Sequence, residues 1–197
     1  SAQLDFTPRG ENLAVQHAGF SAAVSVDGKV FVWGDSAHGC LGLGHVQVCF
    51  MPRTIPALAK YVVHQVAAGG AHCLAVTRGG EGGERRVFGW GLGKFGQLGT
   101  GKRIRHMMPV EIEGLRHECI TSVVAAGSFS GFLSSNGAVW MCGCGWDGQL
   151  GLGDRDGRLL PEMVTNFNAL DPPLEDVSRH NGTADVQSSV ADDDDDQ

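Results

Sequence analysis

VFGWGLGKFGQLGTG, residues 87–101, is the stretch on which the fold turns. Two other segments align with it without a gap: VFVWGDSAHGCLGLG at 30–44 and VWMCGCGWDGQLGLG at 139–153. Their anchor glycines Gly34, Gly91 and Gly143 stand 57 and 52 residues apart. A repeat period of roughly 50 residues marks a solenoid or a propeller. Flanking pieces recur as well. HQVAAGGAHCLAVT at 64–77 and SVVAAGSFSGFLSSNG at 122–137 precede two of the copies, and a poorer version, AVQHAGFSAAVSVDG, covers 14–28. A proline among apolar residues follows each copy, in MPRTIPAL at 51–58, MPVEIEGL at 108–115 and LPEMVTNF at 160–167.

These pieces predict short strands. LAV at 74–76 and VFGW at 87–90 are rich in β-formers and bounded by glycine or charge. Asp27-Gly28 and Asn136-Gly137 each separate two such runs and predict hairpin turns. In the middle copy RGGEGGERR at 78–86 enlarges that hairpin into a solvent-facing loop. Each unit therefore predicts four strands in about 50 residues, the size of one propeller blade, and the fold class is all-β. The glycine after the tryptophan position (Gly34, Gly91, Gly143) is expected to permit a close approach or an unusual backbone angle. Leu41, Leu98 and Leu150, each set between glycines, are expected to fill gaps between sheets. Trp33 and Trp90 are expected to supply large apolar area between blades.

The units resemble the repeats of the regulator of chromosome condensation, or RCC1-like, propeller family. The middle copy carries the Ala67-Ala68-Gly69 opening, His72, Thr77, Trp90-Gly91 and the Gly96-Gln97-Leu98-Gly99 turn ending at Gly101. The third copy keeps Gly148-Gln149-Leu150-Gly151 and Gly153 but has Cys142 at the tryptophan position, and the first has Cys40 in place of the glutamine. The match covers about residues 14–170. The resemblance implies a ring of seven blades, whereas three four-stranded units are recognisable here, so the propeller is incomplete. It also implies that His72 is structural, and the aromatic replacements Phe20 and Phe129 at its position fit a packing role.

The expected organisation is an N-terminal segment or partial blade at 1–13, blades at 14–170, and an acidic tail, expected to be disordered, at 171–197. That last segment holds nine acidic residues against Arg179 alone, a charge of -8 within the net -7 of the whole chain. The remainder, with 14 basic and 13 acidic residues, is nearly neutral and gives no strong field for nucleic acid. No stretch approaches the roughly 18 uninterrupted apolar residues of a membrane span, so no membrane association is expected. Six cysteines without a zinc-knuckle spacing are expected to be reduced thiols, which favours an intracellular protein, cytoplasmic, nuclear or organellar. No nucleophile elbow, metal motif or phosphate cradle is present, so no enzyme activity, cofactor, metal or small-molecule substrate is expected.

What remains is binding. The expected function is a non-enzymatic protein–protein interaction module, part of a larger propeller or assembly. Candidate contact residues are Arg85 and Arg86 in one loop, and Lys102, Arg103, Arg105 and His106 in another. The resemblance adds two alternatives: guanine nucleotide exchange on a small GTPase, the founding member's activity on Ran, and chromatin or histone binding, for which the acidic tail would serve. No exchange residue carries over by position. An open stack of blades exposes its outer faces, and leaving a few hundred Å2 of apolar surface wet forgoes several kcal/mol, at about 25 cal/mol per Å2. Those faces are expected to be covered by further blades, a second copy or another protein.

Overall fold

A computed structural model describes residues 14–17, 19–79 and 85–165. The expected N-terminal segment 1–13, the centre of the enlarged hairpin loop and the acidic segment 171–197 lie outside the described residues. Within them the chain forms three four-stranded antiparallel sheets, each with its strands in sequence order. The first contains β1 (Ala14–His17), β2 (Phe20–Val24), β3 (Val30–Gly34) and β4 (Cys49–Thr54). The second contains β5 (Val63–Ala68), β6 (His72–Thr77), β7 (Val87–Gly91) and β8 (His106–Glu111). The third contains β9 (Ile120–Ala126), β10 (Phe129–Ser134), β11 (Val139–Gly143) and β12 (Arg158–Met163). Each sheet is a blade. The strand leading into the Ala-Ala-Gly opening comes first, and the proline-bearing strand comes last. Short 3-10 turns at Pro56–Leu58 and Glu113–Leu115 carry the chain from one blade to the next and bury Leu58 and Leu115.

The Asp-Gly hairpin forms as expected, in its three-residue variety. The Gly28 N–H closes the turn onto the Ser25 carbonyl, the Ser25 N–H bonds across to Lys29, and Gly28 takes φ of 79°. A glycine at that left-handed position is what this hairpin requires. The glycine after each tryptophan position carries both constraints anticipated for it. Gly91 has φ of 97°, and a Cβ there would stand 2.5 Å from the Ala71 carbonyl oxygen. That approach lets the Leu92 N–H reach the same oxygen at 2.8 Å.

Two apolar cores join the blades. One holds Val32, Leu41 and Ile55 of the first blade against Val66, Phe88 and Trp90 of the second. The other holds Leu74, Val76 and Ile112 of the second against Val123, Phe132 and Cys142 of the third. Leu41, Leu98 and Leu150 are all buried.

Both joints use the same polar device. Where each blade meets the next, a turn carbonyl receives two side-chain donors. The Cys40 carbonyl accepts from the Trp90 indole N–H at 2.8 Å and the Cys73 thiol at 3.4 Å. The Gln97 carbonyl accepts from the Ser130 hydroxyl at 2.6 Å and the Cys142 thiol at 3.8 Å. Cys142 thus takes over the position and the hydrogen-bonding duty of the tryptophan. A backbone bond completes each joint: Gly44 N–H to the Met107 carbonyl, and Gly101 N–H to the Leu159 carbonyl, both at 2.9 Å. At the second joint the Gln65 side chain also binds both the N–H and the carbonyl of Val123.

Trp33 departs from expectation. It is half-buried, whereas Trp90 is fully buried. The reason lies in the joint: this side chain reaches the turn of the preceding blade, and no described blade precedes the first.

Candidate interaction surface

The register of β7 and β8 separates the two basic clusters. Phe88 faces Glu111 at one end of this pair, and Gly91 faces His106 at the other. Arg86 therefore stands beside the end of β8, while residues 102–105 lead into its beginning. Five residues of strand span about 15 Å, so the clusters occupy opposite ends of the blade.

Arg86 is tied into the sheet. Its guanidinium donates to the Glu111 carboxylate at 3.0 Å, its N–H donates to the Thr77 hydroxyl at 2.9 Å, and its carbonyl accepts from the Thr77 N–H. Glu111 also pairs with Arg116 at 3.5 Å. Arg86 closes the hairpin between β6 and β7, and Arg85 beside it is half-buried.

The other cluster is open. Lys102, Arg103 and Arg105 are exposed, and among the described residues none of them forms an ion pair. Between them Ile104 is exposed as well. His106 differs: it sits in β8, half-buried, lining a hollow of about 200 Å3 with Thr100, Lys102 and Leu160. Burial first, and the Lys102 charge second, hold its pKa below the usual histidine value. It is therefore neutral at physiological pH and adds no charge to the loop.

The structure adds three residues that the basic pattern leaves unmarked. Arg103 reaches the Lys94 carbonyl at 3.4 Å, which brings the loop beside the turn that follows β7. The Lys94 ammonium stands 5.7 Å from the centre of the Phe95 ring. Phe95 meets Trp146 of the third blade edge to face, with ring centres 5.4 Å apart. Trp146 is 64% exposed. Its sequence signal is a tryptophan at a turn position where the aligned copies carry Ala37 and Lys94.

The outcome is a rim patch across the second and third blades: an exposed indole braced by a phenyl ring, beside exposed Lys94, Arg103 and Arg105. Tryptophan and arginine are enriched at the energetic centres of protein interfaces, where they fill well-packed, desolvated pockets. On the third blade the corresponding loop is self-satisfied. Arg158 there pairs with Asp154 at 2.7 Å and also with Glu162.

The paired cysteines Cys142 and Cys144 offer no thiolate pair. Burial pushes the Cys142 thiol far above its usual range, and its hydrogen already serves the Gln97 carbonyl. Among the described residues no three His, Cys, Asp or Glu side chains gather as a metal site.

The profile of the regulator of chromosome condensation (RCC1) repeat matches residues 27–76, 85–133 and 136–178. The human E3 ubiquitin-protein ligase HERC2 is 40% identical over 156 residues, which is 76% of this chain and 3% of the ligase. Human WBSCR16 superposes with a TM-score of 0.67 at 28% identity, over 81% of this chain and 38% of that one. Prp20p from Saccharomyces cerevisiae, described together with its binding to Gsp1p and histones, superposes with a TM-score of 0.69 at 20% identity, over 82% of this chain and 40% of that one. The chain thus spans a small part of the ligase and about two-fifths of each solved propeller.

Proposed function

The chain belongs to the regulator of chromosome condensation (RCC1) repeat family, and from that premise we propose that it is a protein-binding segment of a propeller that contacts its partner through the Trp146 rim patch. The family is one of propeller blades rather than of catalytic domains. The observation that carries the proposal is the exposed Trp146 ring held against Phe95 beside cations that have no ion-pair partner among the described residues. A partner surface that is acidic around an apolar centre complements it. Arg85 and Arg86, at the far end of the blade, are left out of this contact. An intracellular setting belongs to the same proposal and is supported by six cysteines that are all free thiols.

A second reading, engagement of a small GTPase or of histones, is favoured by the likeness to Prp20p, which is described as binding Gsp1p and histones. The two partner types draw on different charges. The basic rim suits an acidic protein surface, and the acidic residues of 171–197 suit histones.

One experiment addresses both. Nucleotide release from a panel of small GTPases and pull-down of core histones are compared for the wild type, for W146A/R103E, and for the chain ending at residue 170. Loss of a GTPase interaction in W146A/R103E supports the rim. Histone binding lost only on truncation supports the second reading. Binding that neither change affects contradicts both.

A further inference from the structure

The two joints differ at a pair of positions on the outer wall. Thr100 stands where the first copy has Leu43 and the third has Leu152. His106 faces Gly91 across its strand pair, as Cys49 faces Gly34 in the first blade. At the first joint the pair is apolar: Cys49 is buried in the core and Leu43 packs against it. At the second joint the pair is polar and lines the hollow of about 200 Å3. Described blades flank this hollow on both sides. Leu160, its wall on the third blade, packs on Gly101 as Met108 packs on Gly44 at the first joint, and the two are 54% and 58% exposed. The opening therefore belongs to a completed joint and not to an end of the stack.

Thr100 Oγ1 and His106 Nε2 are covered, and among the described residues neither has a hydrogen-bond partner. Buried polar atoms are costly to leave unmatched. A hydroxyl can donate, and so can the nitrogen that carries hydrogen in a neutral imidazole. Lys102 beside them is exposed, with no ion-pair partner among the described residues. The carboxylates at the far end of the hollow are already matched: Glu111 pairs with Arg86 and Arg116, and Glu113 with Arg116. Val110 and Leu160 supply apolar wall between the two ends. What the hollow lacks is an acceptor at its Lys102 end.

We infer that the hollow takes an acidic side chain of the protein partner, its carboxylate on Lys102 and its methylene stem against Val110 and Leu160. Rotation of the Thr100 and His106 side chains brings their donors to the same carboxylate, and charge-assisted bonds of this kind are the strong ones. The inference rests on the rim patch as the contact surface: Lys102 adjoins Arg103, which reaches the turn bearing Phe95, the ring that braces Trp146. Trp146 would anchor the apolar centre of the partner, and the hollow would select for acid beside it.

The test compares two short capped peptides, one with glutamates around a leucine–phenylalanine pair and one with glutamines in their place. Fluorescence anisotropy is expected to show the wild type binding the glutamate peptide about tenfold more tightly. T100L/H106C restores the pair found at the first joint, and its fold is checked by circular dichroism. It is expected to bind the two peptides alike. W146A is expected to weaken both peptides equally, so an unchanged W146A counts against the rim reading alone. A wild type without preference overturns the inference, as does a preference that T100L/H106C keeps, since the loop cations would then account for it. Should T100L/H106C fail to fold, the imidazole nitrogen signals of the wild type decide, with His106 assigned by H106N. They are expected to shift with the glutamate peptide only. No shift at His106 would mean that the hollow holds solvent, and would overturn the inference.

Discussion

The His72 imidazole and the Ser130 hydroxyl, fifty-eight residues apart and on adjacent blades, lie 2.9 Å from each other in a fully buried site. Ser130 gives its own hydrogen to the Gln97 carbonyl. It must therefore accept from His72, which fixes the imidazole as the tautomer with hydrogen on Nε2. The histidine thus works through the joint: it holds the hydroxyl that bridges to the turn of its own blade. Substitution separates this polar duty from simple filling of space. H72F, which places the ring found at Phe20 and Phe129, is expected to lose about 1 kcal/mol for one hydrogen bond. H72A, which also opens a cavity, is expected to lose about 2–3 kcal/mol. Urea denaturation of the two variants gives the comparison, and equal losses would argue against the link.

The glycines after the tryptophan positions answer to backbone rather than to side chains. G91A combines a left-handed φ with a Cβ pressed on the Ala71 carbonyl. It is expected to cost roughly 3 kcal/mol or more. G148A also has a left-handed φ, of 72°, but a Cβ there meets nothing within 4 Å. Its expected cost is about 1–2 kcal/mol. Thermal unfolding of the two single variants should preserve that order.

Trp90 and Trp33 occupy the same place in the repeat and differ in surroundings. W90F removes a buried hydrogen bond to the Cys40 carbonyl and leaves a void, with an expected loss of about 2 kcal/mol. W33F, at a half-buried position, is expected to change stability by no more than about 0.5 kcal/mol. Urea denaturation of the two variants checks that order, and equal losses would argue against the role given to the Cys40 carbonyl.

Thiol chemistry should report the joints from inside. Burial pushes the Cys40, Cys73 and Cys142 thiols up, and each donates to a main-chain carbonyl. The thiolate is the nucleophile, so these three should resist alkylation at mildly alkaline pH until the chain unfolds. Cys119 is exposed and should react first. Mass spectrometry of the folded and the urea-treated chain resolves the order.

The fold is legible in the sequence because glycines carry it. Gly34, Gly91 and Gly143 are required by the main chain, so they recur wherever the strand-to-turn passage recurs. The joints are harder to read, since half of each is a main-chain carbonyl that any residue at position 40 or 97 would supply. The exchange of tryptophan for Cys142 looks like a defect in the repeat until the Gln97 carbonyl is seen beside it. The binding surface is the least legible part. Arg86 belongs to a charged, glycine-rich run, but its partner Glu111 is twenty-five residues further on and is placed by strand pairing. Phe95 and Trp146 belong to different copies, and they meet only because two blades pack.

The blades are held together by turn carbonyls that take side-chain donors from the next blade, and the contact of His72 with Ser130 ties one such link across the second joint. The most direct test is a double-mutant cycle of H72F, S130A and the pair, followed by urea denaturation. The expected result is that the two losses are not additive, with a coupling of about 1 kcal/mol. Strictly additive losses would contradict it.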